Sequence, residues 1–211
     1  MNKVRNALDQ LADGNYSDTL HPHKNCPEVI KLIFDTKLNK IVTELLGGSH
    51  DAVQSQLRYK KPGDAGFPLH QDDFWTKAGF GKTLNILIHV DDATKENGCI
   101  YTYPKSHKPP FFSKKVNLEA KSGDVTFLHN YVLHGSDKNK SNTFRRNLLL
   151  MYVKKNTKYR SGKSAKRDII FNVWIYIYIF IINKVTMNIL ITGITGFVGS
   201  HMADYILSNT N

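Results

Sequence analysis

Cysteine is nearly absent from this chain: its 211 residues hold two, Cys26 and Cys99. They form neither a CxxC pair nor a disulfide framework, which excludes the stapled secreted scaffolds and makes a reduced, cytoplasmic setting the expectation. The opening stretch, MNKVRNALDQLADGNYSD, lacks the apolar core of a secretory signal, so export is not expected. Long hydrophobic runs are scarce as well. The run IIFNVWIYIYIFII, residues 169–182, has 14 residues including Asn172, short of the ~20 that span a bilayer. No membrane partner is expected from it. Acidic residues are outnumbered, 18 against 29 Lys and Arg. The excess is local: residues 154–167, KKNTKYRSGKSAKR, hold seven basic residues and no acid. That segment reads as a solvated tail, and apart from Tyr159 it lacks the aromatics that stack on bases. No nucleic-acid partner is expected.

What the chain does have is a helical preface followed by many short strands. Residues 28–46, EVIKLIFDTKLNKIVTELL, repeat apolar positions at helical spacing and stop at Gly47-Gly48, which predicts one or two helices. AVQSQLRYKK then alternates and ends in the turn PGDAG. TLNILIHV, CIYTYPKSH, GDVTFLHNYVLHG and RRNLLLMYV follow, each β-rich and bounded by Gly, Pro, Asn or Asp. Short strands with long connections predict a double-sheet barrel or jelly roll, mainly β behind its helices.

One stretch breaks the apolar texture: PLHQDDFW, residues 68–75. His70 and Asp72 are two apart, and on a strand that spacing puts both on one face. An isolated HxD reads as a hydrogen-bonded structural pair. A two-histidine, one-carboxylate iron site needs a further histidine downstream. FLHNYVLHGS offers His129 and His134, five apart, so on a regular strand only one points inward. His134 stands before a Gly-Ser turn, where a ligand reaches an open site, and His129 reads as structural. Arg145 and Arg146 open the next strand, so one of them faces the interior, where a buried guanidinium needs a carboxylate. His107 is a loop histidine, with a place at the substrate mouth as the alternative, and Phe74 and Trp75 read as core packing, with substrate contact as the alternative.

LHQDDFW, DDATKENGCIYTYPKSHK, GDVTFLHNYVLHGS and NTFRRNLLLMYV, in that order, resemble the phytanoyl-CoA dioxygenase family over about residues 25–155. The resemblance implies a double-stranded β-helix (a jelly-roll, cupin-like fold) and an Fe(II)- and 2-oxoglutarate-dependent oxygenase. Its reaction would hydroxylate an unactivated C–H of a small or conjugated metabolite with O₂, releasing succinate and CO₂. By that likeness His70, Asp72 and His134 are the catalytic iron ligands. Arg145, eleven residues past His134, pairs with the distal carboxylate of 2-oxoglutarate, Ser136 contacts the same co-substrate, and Gln54 and Gln56 are further polar contacts. A carboxylate ligand at Asp72 favours hydroxylation over halogenation. The alternative is a jelly-roll domain that binds a ligand without catalysis.

The chain departs from that pattern at two points. No helix and strand are expected before residue 28, which would leave the jelly roll without its N-terminal strand and expose a sheet edge. Leu87 stands where family members often carry Trp. Residues 1–155 are thus expected as the oxygenase-like domain, and 156–186 as a basic then apolar linker. Residues 187–211, MNILITGITGFVGSHMADYILSNTN, are expected as a truncated βα fragment. Its Gly193, Gly196 and Gly199 resemble the start of an extended short-chain dehydrogenase of the GDP-mannose 4,6-dehydratase kind. One βα unit cannot build a dinucleotide site. The AT-rich residue usage ahead of Met187 suggests read-through across a gene boundary from about residue 168, with a true fusion as the alternative.

Overall fold

Strand β8 (Arg145–Lys154) shows how the sequence sets the architecture. Its even positions Leu148, Leu150 and Tyr152 are fully buried in one apolar cluster, while its odd positions Arg145, Asn147, Leu149 and Met151 line a cavity. Period-2 alternation here separates two interiors rather than an inside from an outside. The computed structural model describes residues 1–171 except 13, 15, 111 and 112. Within it a compact unit runs from Met1 to Ile170.

Helices α1 (Asn2–Ala12), α2 (Pro27–Ile33) and α3 (Thr36–Leu46) form one layer. In α3, Leu38, Val42 and Leu46 repeat at i+4 and are buried. The Asp35 carboxylate accepts from Leu38 N at 2.9 Å to cap its start, and Gly47, at φ 65°, ends it in the left-handed region that glycine enters freely. The strands are β1 (Thr19–Leu20), β2 (His50–Lys60), β3 (Thr83–His89), β4 (Ile100–Thr102), β5 (Val116–Leu118), β6 (Val125–His129), β7 (His134–Ser136) and β8; a one-turn helix α4 (Asp73–Thr76) precedes β3. They make a major sheet, β1-β2-β8-β3-β6, and a minor sheet, β5-β4-β7, with antiparallel pairs throughout. The helices cover the major sheet's apolar face, where Leu57, Leu84, Ile86, Leu148 and Leu150 meet Leu8, Val29, Ile33 and Val42. Tyr152 donates its hydroxyl to the Ile33 carbonyl at 2.8 Å, fixing the layers. Among the described residues no helix is long and apolar enough to cross a membrane.

The expectation that nothing structured precedes residue 28 is corrected. Asn2–Ala12 forms a helix with Leu8 fully buried, and Thr19 and Leu20 pair with Leu57 and Gln56 on the edge of β2. Arg5 donates to the Val90 carbonyl at 2.7 Å, and Asp9 accepts from Arg146, so ion pairs fasten α1 to the sheet. The helical spacing of Val4, Leu8, Leu11 and Ala12 carries that signal.

The basic segment keeps most of its charged side chains in solvent, but it is not a free tail. Strand β2 bulges between Ala52 and Gln54, and the Val53 carbonyl freed by the bulge accepts from Asp168 N at 3.2 Å. Ile170 N donates to the Ala52 carbonyl at 2.8 Å, and Gln54 Nε2 to the Ala165 carbonyl at 2.6 Å. Tyr159 packs on Val53, Met151 and Val153. Residues 157–170 are therefore a strap against the sheet, and the unit closes at Ile170 instead of 155. From Asn172 onward the apolar run and the glycine turn at 193–199 lie outside the described residues.

Candidate metal centre

His70, Asp72 and His134 meet in a cavity of about 620 Å³ between the two sheets. Their ligand atoms lie within 4.8 Å of one another. His134 opens β7, and His70 joins it through an isolated bridge, with paired N–H···O bonds of 2.9 and 3.0 Å. The strand expected through the HxD is absent. Asp72 has helical φ −63° and ψ −29° and starts α4, so a turn, not strand alternation, brings it beside His70. His129 and His134 likewise belong to different strands in different sheets. His129 packs with Phe80, His107 and Tyr131, away from the cavity lining.

Backbone carbonyls fix the tautomers. His70 Nδ1 lies 2.7 Å from the Pro68 carbonyl and His134 Nδ1 lies 3.0 Å from that of Val132. A carbonyl only accepts, so each Nδ1 carries the hydrogen and each neutral ring turns a bare Nε2 inward. Those two atoms stand 3.6 and 3.7 Å from Asp72 Oδ1. Burial lowers the His134 pKa, against the opposing pull of Asp72 and the Val132 carbonyl, which favours the neutral ring. Asp72 Oδ2 is buried with no hydrogen-bond partner. Three converging acceptors are costly to bury unless a cation joins them. The donor set fits a divalent transition metal of imidazole and carboxylate preference.

Further along the cavity, Arg145 is 5% exposed, and its Nε and Nη1 have no partner. Burial lowers its pKa. Lys60, its register partner on β2, is also buried, and its pKa is lowered to about 8, by burial first and then by Arg145. Ser136 Oγ accepts from Lys60 Nζ and from Phe67 N, each at 3.0 Å, leaving its own hydrogen to donate. Gln54 and Gln56 reach the wall, but Gln56 donates to Gln54 at 2.8 Å and Gln54 donates to the strap. Asn85 Oδ1 and Asn147 Oδ1 are buried and unpartnered. Phe74 and Trp75, expected in the core, are 64% and 37% exposed, and Trp75 lines the mouth, 4.7 Å from the His70 ring. Leu87 lines the cavity where a larger side chain would narrow it.

Sequence reasoning missed Lys60 and Arg167 as cavity residues. Lys60 continues the alternation Gln54, Gln56, Arg58 and was legible there; Arg167 carries no local signal, because its place depends on the strap folding back.

Two antiparallel sheets around a two-histidine, one-carboxylate cluster define a jelly roll of the cupin-like, metal-site class. The family model for phytanoyl-CoA dioxygenase (PhyH) matches residues 2–147, and the chain belongs to that family. The match begins at the first helix, in agreement with the role of α1. Phytanoyl-CoA dioxygenase 1 of Oryza sativa subsp. japonica is 28% identical over 153 residues, 62% of this chain and 54% of that protein. 2-Aminoethylphosphonate dioxygenase of uncultured bacterium HF130_AEPn_1 is 28% identical over 128 residues, 53% and 49% of the two chains. The chain spans about half the length of these curated relatives. Among solved structures, the non-heme alpha ketoglutarate dependent carbocyclase SnoK from nogalamycin biosynthesis superposes with a TM-score of 0.68 at 18% identity, covering 81% of this chain and 84% of that one. That likeness is one of fold.

Proposed function

We propose that this chain is an Fe(II)- and 2-oxoglutarate-dependent dioxygenase that hydroxylates a C–H bond of a small molecule. One observation carries the reading: a cavity with three converging acceptors, His70, Asp72 and His134, also buries an Arg145 guanidinium with two unpartnered nitrogens. The first group lacks a cation and the second lacks an anion, and a metal chelated by a dicarboxylic 2-oxo acid supplies both. Bound there, Fe(II) with 2-oxoglutarate and O₂ supplies oxidative decarboxylation to succinate and CO₂, coupled to hydroxylation of the substrate.

The residues divide the work. His70 and His134 would hold the ion through Nε2, with their rings oriented by the Pro68 and Val132 carbonyls. Asp72 adds the negative charge. Arg145 takes the distal carboxylate of the co-substrate by its planar fork, and Lys60 adds charge behind it. The Ser136 hydroxyl hydrogen is free to join that contact. The two buried, unpaired cysteines agree with a reducing compartment, the cytoplasm in this reading.

Titrating Fe(II) and then 2-oxoglutarate into oxygen-free protein tests the reading through the visible charge-transfer band of the chelate. The band is expected in the wild type, absent in His134→Ala, and weakened about a hundredfold in apparent affinity in Arg145→Ala. Folded protein with no band would sink it. A band without succinate formation in the presence of O₂ would leave a binding domain in place of an enzyme.

A further inference from the structure

The strap brings a further guanidinium to the cavity, at the end opposite Arg145. In the β2–β8 register Lys60 faces Arg145 while Gln54 faces Met151. Six residues of strand separate those pairs, on the order of 20 Å. Arg145 and Lys60 therefore mark one end, and Gln54, which holds Ala165 of the strap, marks the other. Arg167 lies two residues past Ala165 and lines the same cavity. Its Nη1 donates to the Arg160 and Ser161 carbonyls at 3.1 and 3.5 Å, but its Nε is buried with no partner.

The surroundings separate Arg167 from the other cations of the lining. Arg58 is paired with Asp18 at 2.6 Å, and Lys60 is bonded to Ser136. Among the described residues no carboxylate lies within salt-bridge distance of Arg167. The strap meets the helix that starts at Asp72: Arg160 N donates to the Thr76 carbonyl at the end of α4 at 2.6 Å, and Arg167 Nη1 donates to the Arg160 carbonyl. Arg167 is thus the cation on the metal side of the cavity, where Trp75 forms the mouth.

We propose that Arg167 binds an oxyanion head group of the substrate, a carboxylate or a phosphonate, and so restricts this site to small organic anions. The proposal rests on the dioxygenase reading for the fate of the bound molecule, but anion binding itself does not need the metal. The two guanidinium groups divide the cavity: Arg145 receives the co-substrate and Arg167 the substrate, with the metal ligands between them. A planar fork suits either head group, and a lysine would keep the charge without the bidentate geometry. The backbone supports the placement. Gly162 has φ +84°, and a Cβ there would come within 3.2 Å of Arg167 Nη1.

The test titrates methylphosphonate into the full chain, followed by ³¹P NMR, first without metal and then with Zn(II) and 2-oxoglutarate present. Acetate and acetamide serve as competitors. Saturable binding is expected in both conditions, with acetate competing and acetamide not; the tighter of the two anions assigns the head group. Arg167→Ala is expected to weaken methylphosphonate tenfold to a hundredfold, and Arg167→Lys less. Both variants should keep wild-type affinity for 2-oxoglutarate, which also reports that they are folded. Arg145→Ala should show the reverse pattern. Unchanged methylphosphonate binding in Arg167→Ala, or acetamide competing as well as acetate, would overturn the proposal. Arg167-dependent binding in a protein that takes up neither metal nor 2-oxoglutarate would support the anion site while removing the dioxygenase reading.

Discussion

Arg145 and Arg146 are neighbours on one strand and meet opposite fates. Arg146 turns to the helix-covered side, where Asp91 grips it through two hydrogen bonds of 2.7 and 2.9 Å and Asp9 of α1 adds a third. Those hydrogen bonds raise its pKa. Arg145 turns to the cavity side, where its Nε and Nη1 have no partner. The same contrast runs through the whole sheet. One face is apolar and tied to the helices; the other collects Lys60, Asn85, Arg145 and Asn147, three of them with unpartnered atoms. A buried polar group without a partner costs folding free energy. A face that concentrates such groups is built for something that arrives later, and stability and function are thereby assigned to opposite sides of one layer.

The largest effects should break that assignment at the two arginines and at Leu150. Leu150→Ala removes a fully buried side chain beneath the helices and should cost about 2–5 kcal/mol. Arg146→Met strands Asp9 and leaves Asp91 with Arg5 alone, at 3.8 Å, and should cost about 1.5–3 kcal/mol, the range for losing hydrogen bonds to a charged group. Arg145→Met removes a charge that has no partner, so the unliganded protein should be as stable as wild type or more so, while 2-oxoglutarate binding is lost. Chemical denaturation of the three variants checks this. Arg145→Met falling as far as Arg146→Met would show that the two faces do not differ in kind.

Filling the cavity should narrow the contrast. Metal and 2-oxoglutarate, each at a hundred times its dissociation constant, should add about 2.7 kcal/mol apiece, about 5 kcal/mol together, which for a unit of this size raises Tm by roughly 10–20 °C. In Asp72→Ala the shift should vanish, because the metal site loses its carboxylate. An equal shift in that variant would place the ligands elsewhere.

The helix face was largely legible in the sequence, because apolar periodicity is local. The two helices over 28–46 and the strands from 52 to 153 follow from it. Of the site, His134 and the inward Arg145 were legible through pattern and resemblance. The convergence of His70 and Asp72 was expected for the wrong local reason, since a turn into α4 and not a strand sets it. The strap was illegible. KKNTKYRSGKSAKR has the composition of a solvated tail, and it packs only because the bulge at Val53 frees a carbonyl and Gln54 reaches Ala165. Helix α1 was legible but went unread, although Val4, Leu8 and Leu11 carry the helical period.

A subtler effect is a pH dependence of opposite sign for folding and for binding. In the folded protein Lys60 titrates at about 8, against the ordinary 10.5. Between those values the unfolded chain binds the extra proton, so stability rises with pH across that window. Anion binding next to Arg145 favours the charged lysine, so 2-oxoglutarate affinity should fall as pH climbs through 8. Lys60→Met should flatten both curves. Opposed slopes in wild type that survive in Lys60→Met would assign them to another group.

The smallest expected effect lies where the cavity face meets the strap. Gln54 is 1% exposed, accepts from Gln56, and donates to the Ala165 carbonyl. Gln54→Ala leaves that carbonyl and Gln56 each without a partner and should cost about 1 kcal/mol of global stability. Its larger consequence should be local. The strap keeps the Asp168 and Ile170 bonds but loses the one at Ala165 that holds the segment leading into Arg167, so amide exchange over 161–167 should quicken while the helix-face core stays protected. Methylphosphonate affinity should fall several-fold with it, and 2-oxoglutarate affinity should not, because Arg145 and Lys60 stand at the other end of β2 and β8. A parallel loss of both affinities would mean that the two ends of the cavity act as one site, and the division drawn between Arg145 and Arg167 would not hold.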